Sequence, residues 1–372
     1  MKNAMCFLSK LIISGILALV ILSGFCLVYS NTPMAVEQPE NITNYKFGSN
    51  VYWSAMTEGF GFGKTNTIGY NSRDDVDYSD TIIAFLGSSQ TEAFQVPQNR
   101  NFVSLTQEKL FCDSDPRNDI PCLNLGISSH YFNVSVSHLE NFSDTFENTP
   151  YVVIEMRSLM YTENEFDKMM NNEFHDPHHN KGFVYSLLRK IPYIRTLKAQ
   201  YEKVQRKDAP KAEENDVDYA VYEKKLDAVI EKIASIGNEN DFHIIVLYHN
   251  TVKVDAFNNV RREDDAKLLE IFEKCCAAHE VSFVDVTDDF VAHYQRTYQM
   301  PYGFWNTTMG TGHLNTTGHR IIADAVYTEI CRLSEGAQNV WAMIWSEIST
   351  YPIYRAMSAN SGKDGISACL PG

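Results

Sequence analysis

Apolar positions along this chain fall into distinct regimes. Residues 11–28 form an apolar run of eighteen, interrupted only by Ser and Gly and preceded by Lys2 and Lys10 with no acidic residue. Such a run reads as a membrane-targeting segment with its N-terminus inside. Its length exceeds the usual core of a signal peptide, which favours a retained anchor over residues 1–30 and a main domain outside the cytoplasm. Val28-Tyr29-Ser30 also meets the small-residue rule for cleavage, so a secreted form is the alternative. Phe25 ahead of Cys26 argues against a lipoprotein.

Residues 31–80 keep no sustained period and are rich in Gly, Asn and aromatics, as in Glu58-Gly59-Phe60-Gly61-Phe62-Gly63. They read as an irregular lead-in along the surface, and their glycines make no phosphate loop because no strand-to-helix context surrounds them. From residue 81 the pattern changes to short apolar runs, at 81–86, 121–125, 151–156, 242–248 and 281–285, which predict five buried strands. Helical periods at 101–111, 262–279 and 315–333 alternate with them. The alternation predicts an α/β domain over 81–336 with a mainly parallel five-stranded sheet in three layers, because parallel neighbours need crossover connections. Ligands in such sheets bind beyond the carboxyl ends of the strands. A helical insertion is predicted at about 161–240, with helices at 184–205 and 219–236, capping or flanking the site. Residues 337–372 form a C-terminal extension containing Trp341, Trp345, Tyr351 and Tyr354.

Composition narrows the function. The 372 residues carry 47 acidic against 32 basic side chains, a formal charge of −15, with no basic stripe among aromatics, so nucleic acid is not an expected partner. Cys112 and Cys122 bracket a loop rich in Asp, Pro and Asn and are candidates for a disulfide in an oxidising compartment. No paired CxxC units suggest zinc. His175, His178 and His179 lie in a polar loop with no acidic partner in register, so neither a metal nor a cofactor is expected. Sequons at Asn41, Asn133, Asn141, Asn306 and Asn315 would be glycan acceptors in a eukaryotic route; a glycan beside His313 would obstruct the candidate site, which favours a bacterial surface.

The first predicted strand runs directly into Gly87-Ser88-Ser89-Gln90-Thr91-Glu92, which places Ser89 at a strand-to-helix turn where a nucleophile is exposed. A serine there is equally a helix N-cap. Far downstream, Gly310-Thr311-Gly312-His313-Leu314-Asn315 precedes the last helix, and a loop histidine there can reach the first turn as a general base. His319 falls inside the helix and reads as structural. After the third strand, Arg157 is a candidate donor to an oxyanion or an anionic sugar, or the partner of Glu155 in a structural ion pair. His249, at the end of the fourth strand, sits on the same rim as a candidate binding residue or as a polar loop residue.

At these residues the chain resembles the SGNH/GDSL hydrolases, and among them the bacterial cell-surface SGNH-like proteins associated with polysaccharide O-acetylation. Phe85-Leu86-Gly87-Ser88-Ser89 resembles the family's first block, Asn124-Leu125-Gly126 its second and Gly312-His313-Leu314-Asn315 its last. The resemblance implies a flavodoxin-like fold, Ser89 as nucleophile, His313 as base, and the amides of Ser89 and Gly126 as oxyanion donors. Ser88, Arg157, His249 and Asn315 complete the oxyanion or substrate-binding set. Three positions depart from the family: Ser88 replaces an Asp, Gly310 replaces the Asp that orients the histidine, and the Asn of the third block is missing. Loss of that Asp need not abolish the chemistry, because a backbone carbonyl can hold the imidazole, at a cost of several orders of magnitude in rate. The implied function is a serine-dependent esterase or O-acyltransferase acting on an acylated cell-surface glycan, with a membrane acyl-donor protein as a possible partner. The alternatives are a non-catalytic SGNH-like module that scaffolds polysaccharide-modifying machinery, and a purely structural surface protein.

Overall fold

The computed structural model describes residues 2–33, 35–37, 45–73, 81–110, 121–140, 145–146, 149–173 and 217–336, with the isolated residues 78, 194, 197 and 201. The chain divides into two compact units, Met1–Val326 and Tyr327–Gly372, and the site belongs to the first.

Helix α1 (Lys2–Tyr29) contains a stretch, Met5–Tyr29, long and apolar enough to cross a membrane or to serve as a signal sequence. Its end is bonded into the fold. The last carbonyls of a helix lack partners within it, and here the Ser54 hydroxyl donates to Leu27 O and Val28 O at 3.2 and 2.7 Å. Met56 N–H donates to Tyr29 O (2.9 Å), and Asn31 N–H to Ser54 O (2.8 Å).

The lead-in has more regular structure than its sequence suggests. It folds as two antiparallel hairpins, β1 (Val36–Glu37) with β2 (Tyr45–Lys46), and β3 (Tyr52–Ala55) with β4 (Gly61–Lys64). Trp53 and Ala55 point inward, and the Trp53 ring meets Phe94 edge-on at 4.7 Å. Period-two alternation does exist here, but over four residues, too short to stand out.

The five predicted strands are present. β5 (Ile83–Leu86), β6 (Cys122–Asn124), β7 (Tyr151–Met156), β8 (His243–Tyr248) and β11 (Ser282–Asp285) form one parallel sheet in the order β6-β5-β7-β8-β11, the flavodoxin-like order. A small hairpin, β9 (Val252–Val254) with β10 (Val260–Arg262), lies between β8 and β11 in sequence. Buried on both faces, β7 is a continuous apolar run except for Glu155.

One face carries α3 (Phe102–Leu110) and α9 (Thr316–Gly336), where Phe102 meets Phe85 at 5.7 Å and His319 stacks on Phe102. The other carries α4 (Phe132–Leu139), α5 (Glu163–Asn171), α6 (Tyr219–Glu239) and α7 (Ala266–Ala278), with Phe132, Phe166, Tyr222 and Phe272 in one core cluster. α8 (Thr287–Thr297) follows β11. Part of the expected insertion is therefore an ordinary layer: α6 is the crossover helix from β7 to β8, and its Leu226, Val229, Ile230 and Ile233 are fully buried. The helix expected at 184–205 lies, apart from three isolated residues, outside the described residues, as does the extension from residue 337.

Candidate active site

The chain leaves β5 through Gly87 into a single helical turn, α2 (Ser89–Glu92). Ser88 is its N-cap, its side-chain oxygen accepting from Gln90 N–H, so the capping role falls on Ser88 and the Ser89 hydroxyl is left for other work. Ser89 Oγ donates to His313 Nε2 at 2.9 Å. Ser89 N–H, at the first position of the helix, has no acceptor among the described residues, as helix starts leave it. Ser88 itself is buried, with both its N–H and its hydroxyl donating to Glu155 Oε2 at 2.8 and 2.7 Å, which corrects its placement in the substrate-binding set.

His313 is held from two sides. Gln90 Oε1 accepts from Leu314 N–H (2.8 Å), its Nε2 donates to Gly312 O (3.4 Å), and Gly303 N–H donates to His313 O (2.9 Å). The other side is Glu58. Its Oε1 accepts the His313 backbone N–H at 3.0 Å, and its Oε2 lies 2.9 Å from His313 Nδ1. The Nδ1 approach lies off the N–H axis, since the atom makes no hydrogen bond of good angle, so the contact is one of charge and proximity. Gly312 makes this approach possible: its φ is +85°, and a Cβ there would sit 2.4 Å from Glu58 Oε1. In place of the backbone carbonyl that could have held the imidazole, a carboxylate from the lead-in stands beside Nδ1. The Glu58 turn is in turn clamped by Asn306, which donates to Met56 O (3.0 Å) and Gly59 O (3.2 Å) and accepts from Gly59 N–H (3.0 Å).

Asn315 does not face a substrate. Its amide donates to Met300 O and Gly303 O (2.7 and 3.0 Å), and its oxygen accepts the N–H groups of Thr317 and Gly318, so it anchors the start of α9.

Gly126 is also corrected. Its N–H donates to Asn124 Oδ1 at 2.9 Å instead of standing free for an oxyanion, while Asn124 Nδ2 donates to Thr91 O at 2.7 Å. What this position demands is close approach, since a Cβ would fall 2.1 Å from Glu92 N. Behind it lies Glu92, accepting from the Ser128 hydroxyl and, at 3.1 Å, from Ser128 N–H. Burial pushes its carboxyl up to about 7, against the opposing pull of the Ser128 bonds and the charge of His313.

Beneath Ser88 runs a second buried line. Glu155 Oε1 accepts from His249 Nε2 at 3.0 Å, and His249 Nδ1 accepts from the Tyr302 hydroxyl at 2.5 Å. Burial opposes the charge on Glu155, but bonds from His249 and Ser88 outweigh it and hold the carboxyl below its ordinary value. Burial pushes the His249 imidazole down, against the opposing pull of Glu155, and the carboxylate requires a proton on Nε2. This corrects two expectations. Among the described residues Glu155 is bonded to His249 and not to Arg157, and His249 is fully buried and cannot touch a substrate. Arg157, partly exposed just beyond β7, lays its guanidinium over the Tyr302 ring at 5.4 Å from the centroid. His319 is buried, accepts from Phe102 N–H at 3.2 Å, and is pushed down to about 3 by burial, a structural histidine.

Cys112, His175, His178 and His179 lie outside the described residues, so the Cys112–Cys122 pairing falls there too. Among the described residues, no group of three or more His, Cys, Asp or Glu is placed to hold a metal.

Sequence reasoning missed Glu58, Gln90 and Asn306. Gln90 directly follows the nucleophile candidate and stood within reach of the same argument. Glu58 lies 255 residues from His313 with no local pattern linking them.

A Ser hydrogen-bonded to a His, with a carboxylate beside the other ring nitrogen, at the carboxyl edge of a parallel α/β sheet is the residue set of a serine-hydrolase site. No family model matches the sequence, and no curated protein matches it. Among solved structures the chain is similar to an alpha/beta hydrolase enzyme from the metagenome of Lake Arreo, Spain, at 17% identity and a TM-score of 0.35, covering 66% of this chain and 93% of that one. It is similar also to an acetyl xylan esterase (17%, TM-score 0.36, 67% and 98% covered). A third is a member of the lipolytic protein G-D-S-L family from Veillonella parvula (14%, TM-score 0.34, 65% and 94% covered).

Proposed function

We propose that this protein is a serine-dependent esterase or O-acyltransferase acting on an acylated, O-acetylated cell-surface glycan. The observation that carries the reading is the line Ser89 Oγ to His313 Nε2, 2.9 Å, with Glu58 Oε2 2.9 Å from Nδ1. Ser89 Oγ attacks the acyl carbonyl while His313 Nε2 takes its proton, and Glu58 holds the imidazole and balances the imidazolium that forms. Ser89 N–H receives the oxyanion charge, with Arg157 as the candidate second donor from the end of β7. His313 returns the proton to the departing alkoxide, leaving an acyl-Ser89 ester, and water or a sugar hydroxyl then accepts the acyl group. The glycan and the acetyl group rest on the resemblance of the sequence blocks and on the apolar helix α1 that precedes the domain.

The missing Asp at Gly310, the absent third-block Asn and the aromatic lead-in all permit a non-catalytic module; against the first of these, Glu58 supplies a carboxylate beside the imidazole. The test is turnover of p-nitrophenyl acetate by the full chain in detergent, compared with Ser89→Ala and His313→Ala. Loss of activity in both folded variants is expected. Equal rates in all three proteins would leave the scaffolding module as the better reading.

A further inference from the structure

The outward face of the β3–β4 hairpin is lined in an unusual way for a soluble surface. Tyr52 is 75% exposed and Phe62 58%, while their neighbours Trp53 and Ala55 are buried. The register pairs Tyr52 with Lys64 and Ser54 with Phe62, so all four share this face, and the Lys64 ammonium lies 5.9 Å from the Tyr52 ring centroid. Ser54, in the middle of the face, is the residue whose hydroxyl binds the last carbonyls of α1. Just beyond the hairpin's turn, Phe60 (39% exposed) stacks on Trp305 (79% exposed) at 5.0 Å and 13°. On α1 itself Phe25 and Tyr29 stack at 5.6 Å.

We propose that this face, Tyr52, Lys64, Phe62, Phe60 and Trp305, rests in the headgroup layer of the bilayer crossed by α1. The argument is one of continuity and composition. The end of α1 seats directly on the face, so a bilayer spanned by α1 reaches its surface where Tyr52 and Phe62 begin. Aromatic rings and a lysine are the side chains that favour this layer, the rings for their polar edges and the lysine for its reach to the phosphates. The same geometry fixes the height of the active site. Ser30 bridges to Ala55, and Glu58 lies three residues on, which places the Glu58 backbone within about 15 Å of the helix exit. The substrate class narrows accordingly to acyl esters carried at a membrane surface. The docking face rests on reading α1 as a retained span and is independent of whether Ser89 is a nucleophile, whereas the narrowing of the substrate rests also on the proposed function.

The test uses the full chain in nanodiscs, with Trp341 and Trp345 replaced by Phe and the Trp305 emission taken as the difference from a version also carrying Trp305→Phe. A phospholipid with a nitroxide near the headgroup is expected to quench the Trp305 emission at least twofold, with iodide in the water having little effect. Carbonate extraction of the same chain from membranes is the control. Release by carbonate would overturn the span, and with it the inference. Retention with Trp305 open to iodide and untouched by the lipid nitroxide would overturn the docking face alone. Protection of Trp305 from iodide by a soluble acetylated polysaccharide, without lipid quenching, would make the aromatic pair a sugar platform and likewise overturn it.

Discussion

Glu58 touches His313 twice, once at the backbone N–H and once at Nδ1, so it fixes both the position of the loop and the charge beside the ring. Glu58→Gln keeps the shape and the backbone bond but removes the charge. It is expected to lower kcat on p-nitrophenyl acetate by about 10²- to 10⁴-fold with little change in KM, as measured by steady-state kinetics. Asn306→Ala removes three bonds to the Glu58 turn and should lower kcat in the same assay by a smaller factor, with the fold intact by circular dichroism. Glu92 has a different signature. Its carboxyl is raised from 4.5 to about 7, so its neutral form suits the fold: the contribution is fully present below about 4.5 and is lost as pH rises through about 7. Up to about 3 kcal/mol of pH dependence follows, and Glu92→Gln should flatten the decline in Tm between pH 5 and 8. The pairing of Ser89 with His313 was legible in the sequence because one stands at the end of a predicted strand and the other just before a predicted helix. Ser88, Gly126, His249 and Asn315 were legible as members of the site region but not in their roles, because sequence does not show which hydrogen bonds a polar group has already made. Glu58 was illegible because its partner is brought to it only by tertiary folding.

The strands of the central sheet were the most readable elements, since burial on both faces leaves short unbroken apolar runs that no other element of that length needs. The β3–β4 hairpin was not, because its inward face uses Trp53, Ala55, Gly61 and Gly63, a set with no hydrophobic alternation on the second strand. α6 was predicted as a helix but assigned to an insertion, since the long residue gap between β7 and β8 obscured that part of it is an ordinary crossover. At this scale the turn α2 is the most sensitive element. Gly126→Ala would drive a methyl into its backbone at Glu92 N, so the turn must shift and carry Ser89 with it. The expected result is a loss of both Tm and esterase activity, read by calorimetry and by the p-nitrophenyl assay. A variant with unchanged Tm would show that the turn can give way at no cost.

On the scale of the whole molecule, the site draws on chain positions 58, 89 and 313, and the sheet that supports it is completed only by β11 at 282–285. Contacts this distant in sequence form late, because each closes a long loop before any gain is returned. The juncture of Glu58 with His313 therefore acts as a clock. Until residue 313 has been made, Ser89 and Glu58 exist without the histidine that joins them, and the proposed mechanism has no base. On the proposed chemistry, reactivity begins when the segment carrying Glu58 meets the loop carrying His313, 224 residues of synthesis after Ser89.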